Sequence, residues 1–344
     1  MNTLSKCSLA VILALMLISF GAQSSAKKIR AKVLASEFIY ETAPFPSCHA
    51  STIVETKEGL LAAWFGGTHE NHPDVCIYIS ACVKGTWSAP QLVADGIQSD
   101  TLRYPCWNPV LFRRDNGDIV LYYKVGKDPR TWWGMYKISN DQGKSWSAAN
   151  RIPGKLLGPI KNKPVRLPDG TILNPTSIET KQFWNVYLET SNQELGNWHS
   201  IPIDNNGLNA IQPTILFYKD GQMQLLCRSK EKRIVESWSP DMGKTWSPLQ
   251  QTELPNNNSG LDAVTLKNGI QLLICNPIEK GRNKLALLAS TDGKEWNNLF
   301  TLEDHPEGEF SYPAIIQGTD GTVHITYTFN REKIKYVHLK IKKS

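Results

Sequence analysis

His49, Trp107 with Asn108, Ile160 with Lys161, Gln212, Ser259 with Gly260, and Tyr312 each stand nine or ten residues ahead of a turn glycine. Several of these six places carry groups that can do chemistry. An imidazole with an ordinary pKa of about 6.5 takes up or gives a proton near neutrality. A phenol attacks an electrophilic carbon, or hands a proton to a leaving oxygen, once a base or a positive charge stands beside it. Amide and indole groups hydrogen-bond and stack on sugars. Farther along, Arg228 and Arg282 are able to hold a carboxylate by paired hydrogen bonds. Lys161 and Lys163 fall on one side of a strand, Asp262 faces inward in NNNSGLDAV, and Asp74 follows the loop GGTHENHP, which also bears His69, Glu70 and His72. The plain alternative is a set of strand mouths lined with polar residues that merely hold water.

The elements that position these groups follow from the turn glycines themselves. They are Gly59, Gly117, Gly170, Gly221, Gly269 and Gly321, at intervals of 58, 53, 51, 48 and 52 residues, each flanked by apolar segments. A period of that size marks a radial repeat whose small sheets hide their faces against one another. The expectation is an all-β chain folded as a six-bladed β-propeller. A second repeat agrees: SNDQGKSWS (Ser139 to Ser147), SPDMGKTWS (Ser239 to Ser247) and STDGKEW (Ser290 to Trp296) share Ser, Asp, Gly and Trp at nearly fixed offsets, with worn copies ending at Trp198 and Trp87. Each reads as a hairpin in which the Asp bonds turn amides, the Gly takes positive φ and the Trp packs on the blade. The last blade has IKYVHLKI (Ile334 to Ile341) but little chain after it, so KVLASEFIYE (Lys32 to Glu41) is expected to supply the outer strand and close the ring.

Residues 1–26 read as a secretory signal: Lys6, an apolar stretch from Leu9 to Phe20, then small residues ending at Ala26. That stretch is too short for a membrane span. The expected remainder, 27–344, is one propeller domain of a periplasmic or secreted protein. Its six cysteines, Cys48, Cys76, Cys82, Cys106, Cys227 and Cys275, lack a CxxC rhythm and read as buried thiols. The net charge of +6 has no basic run long enough for nucleic acid. No zinc spacing, phosphate loop or nucleotide fingerprint calls for a metal or cofactor. The expected partner is a glycan, most simply an anionic one.

The repeated hairpins, the sixfold period and the strand-mouth residues together resemble the sialidase (neuraminidase) superfamily, propellers built on BNR or Asp-box repeats. The resemblance runs over essentially the whole expected domain. It implies three arginines around a substrate carboxylate, a tyrosine nucleophile with a glutamate partner, and an aspartate acid/base. By position, Arg228 in LLCRS matches the second arginine, Arg282, eight residues before Ser290, matches the third, and Tyr312 in GEFSYPAI matches the nucleophile. His49 stands where the first arginine belongs, and Gln212 where the glutamate belongs, sixteen residues before Arg228. Asp74 is the nearest match for the acid/base.

Glutamine cannot take the phenol's proton, so three functions stay open. One is a hydrolase for a terminal acidic sugar, with Tyr312 or a water as nucleophile. Another is a lyase on uronic acids, with His49 taking the α-proton and Tyr312 protonating the leaving oxygen. The third is a glycan-binding propeller without turnover. Trp107, Asn108, Lys161, Lys163, Asp262 and one of the adjacent indoles Trp132 and Trp133 complete the expected substrate contacts, Trp133 being assigned to the pocket. Glu179 and Glu309 are carboxylates for which a structural ion pair is favoured over acid/base work.

Overall fold

The computed structural model describes residues 29–343. Six antiparallel sheets follow one another around an axis; the inner strands of blades one and two, four and five, five and six, and six and one touch, and blade three meets blade four through its second and third strands. The inner strands are Ser47–Glu55, Cys106–Arg113, Val165–Arg166, Ala210–Phe217, Asp262–Thr265 and Phe310–Gln317. Blade six is completed by Ile29–Phe38, which pairs antiparallel with Lys333–Lys343, so the beginning of the described chain closes the ring as the sequence anticipates. A two-stranded ribbon, Ile97–Ser99 with Leu102–Arg103, sits between blades one and two. The expected signal segment lies outside the described residues.

All six turn glycines adopt positive φ. At Gly59 a Cβ would lie 2.0 Å from the Cys82 carbonyl oxygen, so no other residue fits without moving backbone. The Asp-box hairpins close as expected. In the second, Asp241 accepts from Ser239 Oγ at 2.9 Å, from Thr245 N–H at 2.9 Å and from Thr245 Oγ1 at 2.7 Å, and Trp246 Nε1 donates to Gly243 O at 3.0 Å. Apolar faces between blades form the core, with Trp64, Leu61, Ile77, Leu111 and Leu121 fully buried. The six cysteines are buried and free.

Four inner strands share an irregularity that decides where their side chains go. The strand register slips at Ala50–Ser51, Asn108–Pro109, Gln212–Pro213 and Tyr312–Pro313, two residues facing one on the neighbouring strand. The first residue of each pair is left-handed, with φ of 57°, 40°, 57° and 50°. These are β-bulges, and they turn the strand mouths toward the axis.

Blades three and five depart from that plan, and with them three expected substrate contacts. Ile160 and Lys161 precede their short strand in a loop bounded by Pro159 and Pro164, which lack the amide a sheet ladder needs. Lys161 is buried and crosses the axis to bond the carbonyls of Leu261 at 2.9 Å and of Pro313, and Asn162 Oδ1 at 2.9 Å. Burial pushes its amine down to about 7, partly offset by Asp262. Lys163 Nζ lies 2.9 Å from both carboxylate oxygens of Asp262. Asp262 also accepts from Thr214 Oγ1 at 2.8 Å and Ile315 N–H at 3.0 Å. Its capacity is used up by four blades' worth of structure, and it has nothing left for a sugar. The sequence shows that these residues face inward but not how far along the axis they lie.

Asp262, through its ion pair with Lys163 and its bonds from Thr214 and Ile315, therefore pegs blades three to six together. Replacing Asp262 with Ala strands Lys163 and two donors in a mostly dry interior, and an equilibrium urea melt should show a loss of about 3–5 kcal/mol. An unchanged midpoint would mean that packing between blades holds the axis without it.

Candidate active site

The Asp-Gly turns and Asp-boxes occupy one end of the ring. In an antiparallel blade the opposite end carries the mouth of the first strand and the connection between the second and third strands. A cavity of about 230 Å³ opens there, lined by Glu70, Trp107, Asn108, Pro129, Trp132, Glu179, Trp184, Ile211, Gln212, Arg228, Arg282, Tyr312 and Arg331. Of the expected residues, Tyr312, Gln212, Arg228, Arg282, Trp107 and Asn108 meet in it.

Tyr312 is the centre of the group. Arg228 Nη1 donates to its Oη, and the guanidinium carbons of Arg228 and Arg282 lie 5.5 Å and 5.6 Å from its ring centroid. Room for the ring is made by Gly260, where a Cβ would press on Tyr312 ring carbons at 3.3 Å. Arg228 also donates from Nη1 to Gln212 Oε1 at 3.3 Å and from Nε to Asn258 Oδ1 at 3.0 Å. Gln212 thus orients the guanidinium as an acceptor. It offers the phenol no base.

His49 lies behind this wall, not in it. It is 1 % exposed, its ring centroid 4.1 Å from that of Tyr312, and it is absent from the cavity lining. Neither ring nitrogen has a hydrogen-bond partner among the described residues. Burial first, then the charges of Arg331, Arg282, Arg228 and Lys161, push the imidazole well below its ordinary value. It is neutral and screened from any ligand, which removes the proton-abstracting role expected of it. Register explains the shift: the bulge slot that Tyr312, Gln212 and Asn108 fill in their blades is filled by Ala50 in blade one.

Two more expectations change. Asp74 does not reach the cavity; its carboxylate is spent on Thr68 N–H at 3.0 Å, Thr68 Oγ1 at 2.6 Å and His72 Nδ1 at 2.7 Å. Burial raises its pKa, but the Thr68 bonds outweigh that and leave it below the usual carboxylate range. Such a group is a poor acid at neutral pH. Trp133 packs edge-on against Tyr104 and under Arg151, and Trp132 faces the cavity instead. Alternation along a strand does not apply here, because Trp132 belongs to the preceding turn, its amide bonded to Asp128 O at 3.0 Å.

The residues that sequence reasoning left out come from the connections after the second strands. Arg331, in the turn before Lys333–Lys343, donates from Nε to Glu309 at 2.9 Å and from Nη1 to Glu70 at 2.6 Å. Glu309 also accepts from Arg282 Nη1 at 2.7 Å and Ser311 Oγ at 2.9 Å. Burial raises its pKa, yet the Arg331 bond and the two guanidinium charges hold it below the usual range. The structural ion pair favoured for Glu309 is present. Glu179 is different: no hydrogen bond engages its carboxyl among the described residues, and burial raises its pKa, with Arg228 and Lys230 pulling it back in part. Trp184, over which Lys230 Nζ sits at 4.1 Å, walls the same side. The readable signal was topological, since every such connection must lie at the cavity end.

Residues 58–325 match the family model described as BNR repeat-like domain. No curated protein matches the chain. Among solved structures, a protein of unknown function from Dyadobacter fermentans is similar at 17 % identity and a TM-score of 0.75, over 91 % of this chain and 99 % of that one. The NanB sialidase of Streptococcus pneumoniae is similar at 12 % identity and a TM-score of 0.70, over 88 % and 70 % of the two chains. A Hadza microbial sialidase is similar at 19 % identity and a TM-score of 0.71, over 85 % and 65 %. At such identities the likeness is one of fold. The family match, spanning most of the sequence, joins the ring and its Asp-boxes to a single lineage: this chain belongs to the BNR repeat-like domain family and has the sialidase-like six-bladed propeller.

Proposed function

We propose that this chain is a carbohydrate-active enzyme, a sialidase-like glycoside hydrolase that removes a terminal acidic sugar from a complex glycan. The observation that carries the reading is the presence of three guanidinium groups, Arg228, Arg282 and Arg331, around Tyr312 in one cavity. They suit a carboxylate, which accepts paired charge-assisted hydrogen bonds. Trp107, Trp132 and Trp184 offer faces for the sugar ring. The small volume suits one terminal residue at a time. The titles of two structural neighbours call those proteins sialidases, and that supports the substrate class by analogy only.

In this reading the guanidinium groups hold the sugar carboxylate, and a lone pair on Tyr312 Oη faces the anomeric carbon and stabilises the positive charge that develops there, with no bond formed to it. Glu179, unpaired and with a raised pKa, protonates the leaving oxygen as the glycosidic bond breaks. Water then supplies the hydroxyl of the freed sugar, returning a proton to Glu179. Elimination is disfavoured because His49, the base it would use, has no access to the cavity. We further propose that the protein is exported, on the strength of the apolar segment from Leu9 to Phe20.

Incubating the protein with 4-methylumbelliferyl glycosides of N-acetylneuraminate, glucuronate and galacturonate should release the fluorophore from at least one. The freed sugar, separated from the fluorophore, should have gained water and show none of the ultraviolet absorbance of an unsaturated acid. Tyr312→Phe should abolish release while leaving the melting temperature in place. An unsaturated product would establish elimination, and binding without release would leave a lectin.

The acid role of Glu179 has a pH signature. Its raised pKa keeps the required proton to a higher pH than an ordinary carboxyl does, so kcat/KM should fall as pH climbs through that raised value. Glu179→Gln should lower the rate by roughly 10²–10⁴ and flatten this basic limb. A limb that persists in the variant assigns the proton to another group.

A further inference from the structure

Arg331 is delivered to the cavity by a turn fastened on both sides. Asn330 and Arg331 are both left-handed, with φ of 51° and 57°. The Asn330 N–H donates to Glu309 O at 2.7 Å, Asn330 Oδ1 accepts from Glu309 N–H at 2.9 Å, and Arg331 O accepts from Cys48 N–H at 2.7 Å. The guanidinium thus reaches in from beside His49, the place where the resemblance led one to expect an arginine on blade one. Of its five N–H donors, one serves Glu309 and one serves Glu70.

These two carboxylates are not alike. Glu309 is bonded to Arg282, Arg331 and Ser311 together and is a fixed part of the wall. Glu70 rides on the loop between strands Gly59–Gly67 and Cys76–Val83, its side chain is 38 % exposed, and Arg331 is the sole partner of its carboxylate among the described residues. An ion pair so open to water contributes little to stability. It nevertheless places a carboxylate on a guanidinium at the lining of the cavity.

We propose that Glu70 is an internal stand-in for the ligand's carboxylate, and that an anionic sugar binds by exchanging its own carboxylate for that of Glu70 on Arg331. The proposal rests on the reading that the cavity takes an acidic sugar. Arg331 then selects for acids, because a neutral sugar would have to leave the Glu70 pair intact or break it without replacement. Glu70 sets the threshold affinity a ligand must exceed.

Isothermal titration of N-acetylneuraminate, D-glucuronate and D-galacturonate into the wild type, Glu70→Gln, Arg331→Met, Arg331→Lys and the Glu70→Gln, Arg331→Met double variant tests this. Glu70→Gln should tighten binding of the preferred acid by roughly two- to fivefold, the competing pair being gone. Arg331→Met should weaken it by roughly tenfold or more, and Arg331→Lys should restore part of the loss. In the double variant Glu70→Gln should bring no further tightening, as coupling through one guanidinium requires. An acid that binds the wild type but binds Glu70→Gln no better, or gains equally in both backgrounds, overturns the exchange and leaves the acidic-sugar reading standing. Binding of none of the three acids overturns both.

Discussion

The β-bulge at the mouth of an inner strand is the constraint on which the site depends. Ordinary strand alternation would send one of each pair of neighbours away from the axis. With an extra residue in the strand, Trp107 and Asn108 both line the cavity, as do Ile211 and Gln212. The cost is a left-handed residue directly before a proline at Asn108, Gln212 and Tyr312, a conformation that proline's ring and the residue's own Cβ both oppose. Strain of this kind, of order 1–3 kcal/mol per residue, survives only where surrounding structure fixes it, and it gathers at working sites. Here the ladder bonds on both sides of each bulge do the fixing.

Charge is sorted by depth along the axis. At the cavity, three arginines face two carboxylates that differ in engagement, Glu70 paired and Glu179 without a hydrogen bond among the described residues. One layer down, Lys161 is surrounded by carbonyl oxygens, and Lys163 is neutralised by Asp262. The imidazole of His49 lies among these positive groups and carries no charge. A field of this sign disfavours any further cation beside His49, and the third guanidinium of the cavity, Arg331, comes instead from the neighbouring blade.

Much of this was legible in the residues. Six glycines at a period near fifty mark the number of blades, and the Ser-Asp-Gly-Trp hairpins with their two worn copies mark the third turn of blades one to five. The short final segment pointed to closure by Lys32 to Glu41, and the paired strand proves to be Ile29–Phe38. Counting back to the strand mouths found Tyr312, Gln212 and Asn108, because those positions are fixed by pairing register. Depth and phase were not legible. His49 and Ala50 differ by one place, and only the observed bulge tells which of them fills the slot. Lys161, Lys163 and Asp262 face inward in sequence pattern and in fact, yet they bond to one another below the cavity floor. Arg331, Glu179 and Trp184 lie on or beside hairpin connections with no motif of their own, and what marks them is strand direction alone.

Closing a ring with its first strand makes the last blade the latest to be finished during synthesis, and blade six carries Tyr312, Glu309 and Arg331. A nascent chain that has emerged only through blade five would possess Arg228 and Arg282 without the phenol between them. Its first strand, Ile29–Phe38, would still await a partner some three hundred residues away, a long-range pairing that makes folding slow. Assembly of the cavity lining and completion of the circle therefore arrive in the same event, so a truncated product has neither a sealed sheet edge nor a complete cavity.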